Sequence, residues 1–308
     1  MELRQLRYFI RVAELGSMGR AAAALGVVTS ALSQQISRLE SELATRLLQR
    51  TSAGVVPTEA GLAFLHQAKL ALRHADDAAR AAREARLSGH VSVGFAPSTA
   101  AVLGLPFLAA MRERYPGVRL QIVEALSGNL TDMLNARELD LAVLFETESA
   151  RRLNVAPLLD ERLFVIGARD LAGMPSGARV RLARIARLPM IIPSGSHGLN
   201  AVVMAAFARA RCRPNVVLEI DGLALLMDAV RAGLGATIQP GAATVRVPHD
   251  AVSLVEIADA GAYRRNLLAS LSDDELSPAA LAARVVLGDI ARREVVGGRW
   301  PGARLHKS

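Results

Sequence analysis

Apolar residues recur at helical spacing through the first 90 positions, interrupted where polar or glycine residues cluster. Leu3, Leu6, Phe9, Ile10 and Ala13 form one stripe, which ends near Gly16 with Ser17 placed to cap the next helix. Arg20 to Leu25 is a second, short helical pattern with Ala21, Ala22 and Leu25 inward. Alanines that small let another helix cross close to the backbone, and Gly26 then permits a turn with positive φ. Leu32, Ile36, Leu39 and Leu43 fall at i, i+4, i+7 and i+11, which predicts a third helix, capped by Thr29 or Ser30. Its opposite side carries Ser30, Gln34, Ser37 and Ser41, flanked by Ser33 and Arg38. In TSAGVVPTEAG, Gly54 allows a turn and Val55-Val56 a short strand closed by Pro57, which predicts a β-wing. Arg46, Arg50 and Thr51 would sit at its base as phosphate contacts.

From Thr58 the pattern becomes one alanine-rich helix to about Leu87, capped by Thr58, with Glu59 near the positive end of its dipole. Leu65, Ala68, Leu72, Ala75, Ala79 and Ala82 alternate spacings of 3 and 4, an a/d seam. A helix about 45 Å long with so narrow a seam fits pairing with a second copy better than lying on its own domain. Beyond Ser88-Gly89 the period changes. Strands are expected at 90–96, 118–125, 139–145, 162–168, 189–193, 216–220, 235–240 and 266–272. Helices are expected near 105–115, 130–136, 200–211, 223–232 and 278–295. This alternation predicts a parallel α/β region with right-handed crossovers, in two halves with a cleft between them.

Polar turns stand at the predicted strand ends: Ser98-Thr99, Ser127-Gly128-Asn129, Ser194-Gly195-Ser196-His197 and Gln239-Pro240-Gly241. Hydroxyls and free N–H groups at helix starts suit a small carboxylate. Each turn taken singly is better read as ordinary capping, but several converging turns point to a small-molecule cleft. The third helix also has two readings. Small residues with one amide and one guanidinium suit close approach to base edges in a major groove. A solvated serine-rich face of a helical hairpin would look the same.

Composition narrows the classes. The 308 residues are 51% hydrophobic and 21% charged, enough for two or three core-forming domains. Cys212 is the single cysteine, so no internal disulfide forms, and an intracellular location is expected. The first residues lack the apolar block of an export signal, and no apolar run is long enough to span a bilayer. A net charge of +8 suits an anionic partner. The six histidines have no metal-ligand spacing, and no nucleophile elbow, P-loop or G-x-G-x-x-G occurs. No catalysis, metal or cofactor is expected.

A helix-turn-helix with AAAALGVVTSALSQQISRLESEL, the wing TSAGVVPTEAG, a long helix and a two-part α/β region together resemble a LysR-type transcriptional regulator. VSVGFAPSTAAVLGLPFL, LDLAVLFE and LLASLSDDELSP most resemble the nitrogen assimilation control protein subgroup. The resemblance implies a winged helix-turn-helix DNA-binding domain (1–58), a linker and dimerisation helix (59–88) and a periplasmic-binding-protein-like effector domain (89–308). That domain would comprise subdomain I (90–161 plus 267–295) and subdomain II (162–266). It further implies a cytoplasmic, sequence-specific regulator acting as a homodimer or homotetramer, with double-stranded DNA and RNA polymerase as partners and no membrane. DNA contacts would fall to Thr29, Ser30, Ser33, Gln34, Ser37, Arg38, Arg50 and Thr51, and pairing to Leu65, Ala68, Leu72, Ala75 and Ala79. Ser98, Thr99, Ser127 and Gly128 match inducer-contact positions, joined by Ser194 and Ser196 for an inducer of unknown identity. The subgroup is associated with effector-independent action.

The chain departs from the family pattern at three places. Val28-Thr29-Ser30 replaces the usual Ser-Gln-Pro, which alters the start of the reading surface. Ala44 replaces a glycine and Leu48 a phenylalanine. The competing reading is a carboxylate-binding protein whose N-terminal helices serve only oligomerisation.

Overall fold

In a computed structural model of the chain, the first apolar stripe folds as α1 (Leu3–Leu15), ended by Gly16 at φ 62°. The structure describes all residues except 52–53, 82–86, 146–152, 196–197, 249 and 307–308. It separates into two units, Met1–Ser88 and Gly89–Ser308. In the first, Ser17 caps α2 (Met18–Leu25) by accepting from the Arg20 N–H at 3.4 Å, and Gly26 closes it at φ 66°. Next comes α3 (Thr29–Glu42). Phe9, Val12, Ala21, Ala22, Leu32, Ile36 and Leu39 fill the space between the three helices.

Three details differ from the expected pattern. Leu3 and Leu43 end at the surface, and Gln5 and Val12 take inward positions on α1. The Gln5 amide oxygen accepts from the Glu2 N–H at 2.7 Å, so a polar residue serves the helix start from inside. Neither Thr29 nor Ser30 caps α3. The cap residue is Val28, which is extended and exposed, and its side chain supplies no oxygen.

The wing is an antiparallel pair, β1 (Leu48–Thr51) with β2 (Gly54–Pro57), in register Leu48↔Pro57 and Arg50↔Val55. The following helix, α4 (Glu59–Ala81), is capped by Thr58: its hydroxyl accepts from the Gly61 N–H at 3.0 Å and donates to the Arg46 carbonyl at 2.8 Å. Gly61 is required there, because a Cβ would lie 1.9 Å from the Leu47 oxygen. α4 packs on α1 through an edge-on Phe9–Phe64 contact at 5.2 Å and a Lys69–Glu14 pair at 3.2 Å.

The second unit opens with β3 (Ser88–Phe95), α5 (Pro97–Arg114), β4 (Gly117–Glu124), α6 (Ser127–Asn135) and β5 (Leu141–Phe145). Then come β6 (Asn154–Ala168), β7 (Arg179–Val180), α7 (Leu182–Ile185), β8 (Pro189–Ile192), α8 (Gly198–Arg209) and β9 (Asn215–Glu219). The chain finishes with α9 (Leu223–Arg231), β10 (Thr237–Pro240), β11 (Val252–Ile257), β12 (Tyr263–Ser270), α10 (Pro278–Val296) and β13 (Ala303–Leu305).

The main sheet runs β4-β3-β5-β12-β6-β11-β7, with β10 and β13 also on β6, and β8 pairs with β9. It is mixed rather than wholly parallel. β3/β5, β8/β9 and β7/β11 are parallel, whereas β12 is antiparallel to β5 and β6, and β10, β11 and β13 are antiparallel to β6. The reason lies in β6. Its first half pairs with β12 and β13, its second half with β10 and β11, so one strand serves both lobes. The first lobe's core is built on Leu130, Leu134, Leu139, Ala142 and Leu144; the second's on Leu163, Val165, Met190, Ile192 and Phe207.

Candidate nucleic-acid interface and effector cleft

The buried stripe of α3 turns its other side outward. Thr29, Ser30, Gln34, Ser37 and Arg38 are exposed, and Ser33 is half-buried. Arg38 leans on Glu42 at 3.4 Å, one turn along. A hydrogen bond from the N-terminal amino group, opposed by burial and reinforced by the charges of that group and Arg38, holds the Glu42 carboxyl below its usual range. A groove of about 440 Å³ separates α3 from the hairpin, lined by Ser33, Ser37, Glu40, Arg46, Gln49 and Arg50 among others. Arg50 and Thr51 are exposed on β1, and the Thr51 hydroxyl donates to the Gly54 carbonyl at 3.2 Å.

Glu40, absent from the expected set, fixes this groove. It is buried, and one of its oxygens accepts from the N–H groups of both Leu47 and Leu48, at 2.8 and 3.0 Å. Arg46 lies 3.5 Å from its other oxygen. The hairpin base is thereby tied to α3. An acid four residues after Ile36, on the edge of an apolar stripe, was the signal in the sequence.

The seam positions of α4 divide. Leu65 packs against the N-terminal core and Ala68 is buried within this unit. Leu72 and Ala75 are half-buried and Ala79 is exposed. Ala82 lies outside the described residues.

In the second unit the polar turns belong to helix starts. α5 begins at Pro97, well before the expected Leu105, because proline suits a first helical position and Pro106 is accommodated inside. Ser98 and Thr99 therefore lie in its first turn, both buried, and Ser127 and Gly128 open α6. The three hydroxyls are engaged by the protein itself. The Ser127 hydroxyl accepts from the Phe145 N–H at 3.3 Å, and Thr99 meets the Asn266 side-chain oxygen at 3.5 Å. The Ser194 N–H and hydroxyl donate to the two Asp221 carboxylate oxygens, at 2.8 and 3.0 Å. Gly128 is exposed, and Ser196 lies outside the described residues. Ser98 accepts from Arg264 at 2.7 Å.

Arg264 leads to the most connected polar group of the unit. It sits on β12 opposite Glu161 on β6, the two strands that join the lobes. Its Nε donates to Glu161 at 2.7 Å, and its guanidinium lies 3.6 Å from the centre of the Phe145 ring. Glu161, fully buried, also accepts from Asn266 at 2.8 Å and from the Trp300 indole at 2.6 Å. Burial pushes the Arg264 guanidinium below its usual range, and the Glu161 charge and hydrogen bond pull it back up. The motif reading did not find this group. Glu161 inside LLDERLFVIGA and Arg264 inside YRRNLLAS, each beside further charged residues, were its only trace.

Comparison with known proteins decides the family. Residues 3–62 match the model "Bacterial regulatory helix-turn-helix protein, lysR family", and residues 84–290 match "LysR substrate binding domain". The chain belongs to the LysR family of transcriptional regulators.

Among LysR-family relatives it is similar to "Nitrogen assimilation regulatory protein nac" of Klebsiella aerogenes. The two are 36% identical over 246 residues, covering 79% of each chain. It is also similar to "Uncharacterized HTH-type transcriptional regulator YnfL" of Escherichia coli K12, 34% identical over 93% of this chain and 98% of that one. The fold matches the crystal structure of full-length CbnR complexed with its target DNA. That likeness has a TM-score of 0.64 at 23% identity, covering 95% of this chain and 99% of the other. The LysR helix-turn-helix match takes in α1 to the first turn of α4. The LysR effector-domain match ends inside α10, so Trp300 and β13 fall beyond it. Membership of a regulator family sets aside the reading in which the N-terminal helices serve only assembly. Among the described residues no helix is long and apolar enough to cross a membrane, and no cluster of metal-binding side chains occurs.

Proposed function

We propose that this LysR regulator reads the major groove of double-stranded DNA with Thr29, Ser30, Ser33, Gln34, Ser37 and Arg38, while Arg50 and Thr51 contact phosphates. The observation that carries the reading is the division of α3: Leu32, Ile36 and Leu39 are buried and the Ser/Gln/Arg side is open. Gln34 offers a donor and an acceptor to adenine and Arg38 a fork to guanine. In this reading residues 1–58 bind DNA, 59–88 link and pair, and 89–308 sense. Pairing through Leu72, Ala75 and Ala79, extended from Leu65 and Ala68, places two reading helices on half-sites about 34 Å apart. The assembly is a homodimer or homotetramer working in the cytoplasm with RNA polymerase as a further partner. The cleft framed by Ser98, Thr99, Ser127, Gly128, Ser194 and Ser196 is the effector site, and a ligand shifts the protein only by its different affinity for two arrangements.

The test is binding of the full chain to DNA upstream of its own gene against random DNA of equal length. Gln34→Ala with Arg38→Ala is expected to abolish the preference for upstream DNA while salt-dependent binding to both persists. An undiminished preference in the double variant overturns the reading.

A further inference from the structure

Beside Ser98 of the proposed effector cleft, the space between the two lobes is narrow. Ala96, Ser98 and Phe145 of the first lobe face Pro193, Leu226 and Gln239 of the second, and among the described residues only about 20 Å³ remains between them. That is room for about one water. On the far side of Phe145 and Arg264 lies an open groove of about 490 Å³, lined also by Leu199, Tyr263 and Arg265. Both spaces share the Arg264 side chain and the Phe145 ring.

The seat that holds it is built for one kind of group. Its floor is a ring face, which attracts a cation at close range. One wall is the Glu161 carboxylate: Asn266 donates to the same oxygen as Arg264, and the Trp300 indole to the other. The Ser98 hydroxyl accepts from above. Asp221 adds a second carboxylate to the same cavity lining. The groups that contact the guanidinium are a carboxylate oxygen, a hydroxyl oxygen and a π-face. A carboxylate placed there would meet Glu161 without its partner. The seat is complementary to a small planar cation.

We propose that the effector cleft of this protein is a seat for a guanidinium-type cation which the chain fills with its own Arg264, so that small carboxylates are excluded. This rests on the effector-site reading only in equating the two places. Being tethered, Arg264 acts at high effective concentration, and a free ligand of the same class does not displace it from the unaltered protein.

Arg264→Ala joins the remnant to the open groove and leaves Glu161 without its cation. The experiment follows thermal unfolding, together with the emission and acrylamide quenching of Trp300. That residue is the only tryptophan of the chain and bonds directly to Glu161. Methylguanidinium chloride, sodium acetate and sodium chloride are compared at matched ionic strength on the unaltered chain, on Arg264→Ala and on Arg284→Ala as a control. In Arg264→Ala the melting temperature is expected to fall and Trp300 to become more quenchable. Methylguanidinium then restores both, raising the midpoint by about 2–4 °C over sodium chloride. Acetate does not, and the unaltered chain and Arg284→Ala show no such difference. If Arg264→Ala is recovered unfolded, methylguanidinium present during refolding is expected to restore the folded yield. A response to acetate equal to that to methylguanidinium, or no gain over sodium chloride in either format, overturns the proposal. These readouts involve no DNA, so failure of the upstream-DNA test and failure of the seat are told apart.

Discussion

At the scale of single residues, the N-terminal unit separates side chains that face outward from side chains that hold. Arg50 stands exposed at the wing, with no part in the core. Arg50→Ala is expected to weaken binding to upstream and random DNA together and to lower the salt slope by about one. Anisotropy titrations over a range of salt measure both, and a loss confined to upstream DNA would refute the phosphate role. Glu40 holds. Glu40→Ala leaves the Leu47 and Leu48 N–H groups unserved, a loss of about 2–4 kcal/mol for two buried donors. Glu40→Gln keeps an oxygen for both bonds, because both go to the same atom, and should cost far less. Urea unfolding of the two variants provides the comparison. The same scale shows where sequence reading ran out. The outward set on α3 follows from period alone, since any residue opposite Leu32, Ile36 and Leu39 must face away. Glu40 and the Arg264–Glu161 pair do not follow from period. A buried charge is legible only with its partner, and these partners lie 7 and 103 positions away.

At the scale of elements, boundaries were legible where a glycine or a capping hydroxyl punctuates the chain, as at Gly16, Ser17, Gly26 and Thr58. They were obscure where the cue is tertiary. α5 starts eight residues before its expected position because Pro106 resembles a break, although the surrounding packing tolerates it. The first half of β6 was missed because its first four residues are exposed and its partners, β12 and β13, come more than 90 residues later. α4 gives an element-scale prediction. Leu65 and Ala68 are committed to the unit's own packing, so pairing between copies should depend on the later seam positions. Leu72→Asp is expected to convert the assembly to monomer in sedimentation velocity while leaving the helix content unchanged. An unaltered sedimentation coefficient would count against pairing through this seam.

At the scale of the whole molecule, acid sensitivity follows from the C-terminal end of α10. A hydrogen bond from Arg299, opposed by burial and reinforced by the charges of Arg299 and Arg293, holds the Glu294 carboxyl below its ordinary value near 4.5. A carboxyl depressed in the folded state contributes stability that is complete above that ordinary value and is lost as pH falls through the folded one. The melting temperature should therefore hold steady from pH 7 to about 5 and decline below. Arg299→Gln is expected to make that decline shallower, which melting curves of the two proteins across pH 3–7 would show; identical slopes would rule out this pair as a source.

The continuity of β6 has a further consequence. A beam shared by two spans cannot come loose under one of them alone, so amide protons along Asn154–Ala168 should exchange with deuterium as one cooperative block. The two spans can then rock about that beam, but neither should survive as an excised fragment.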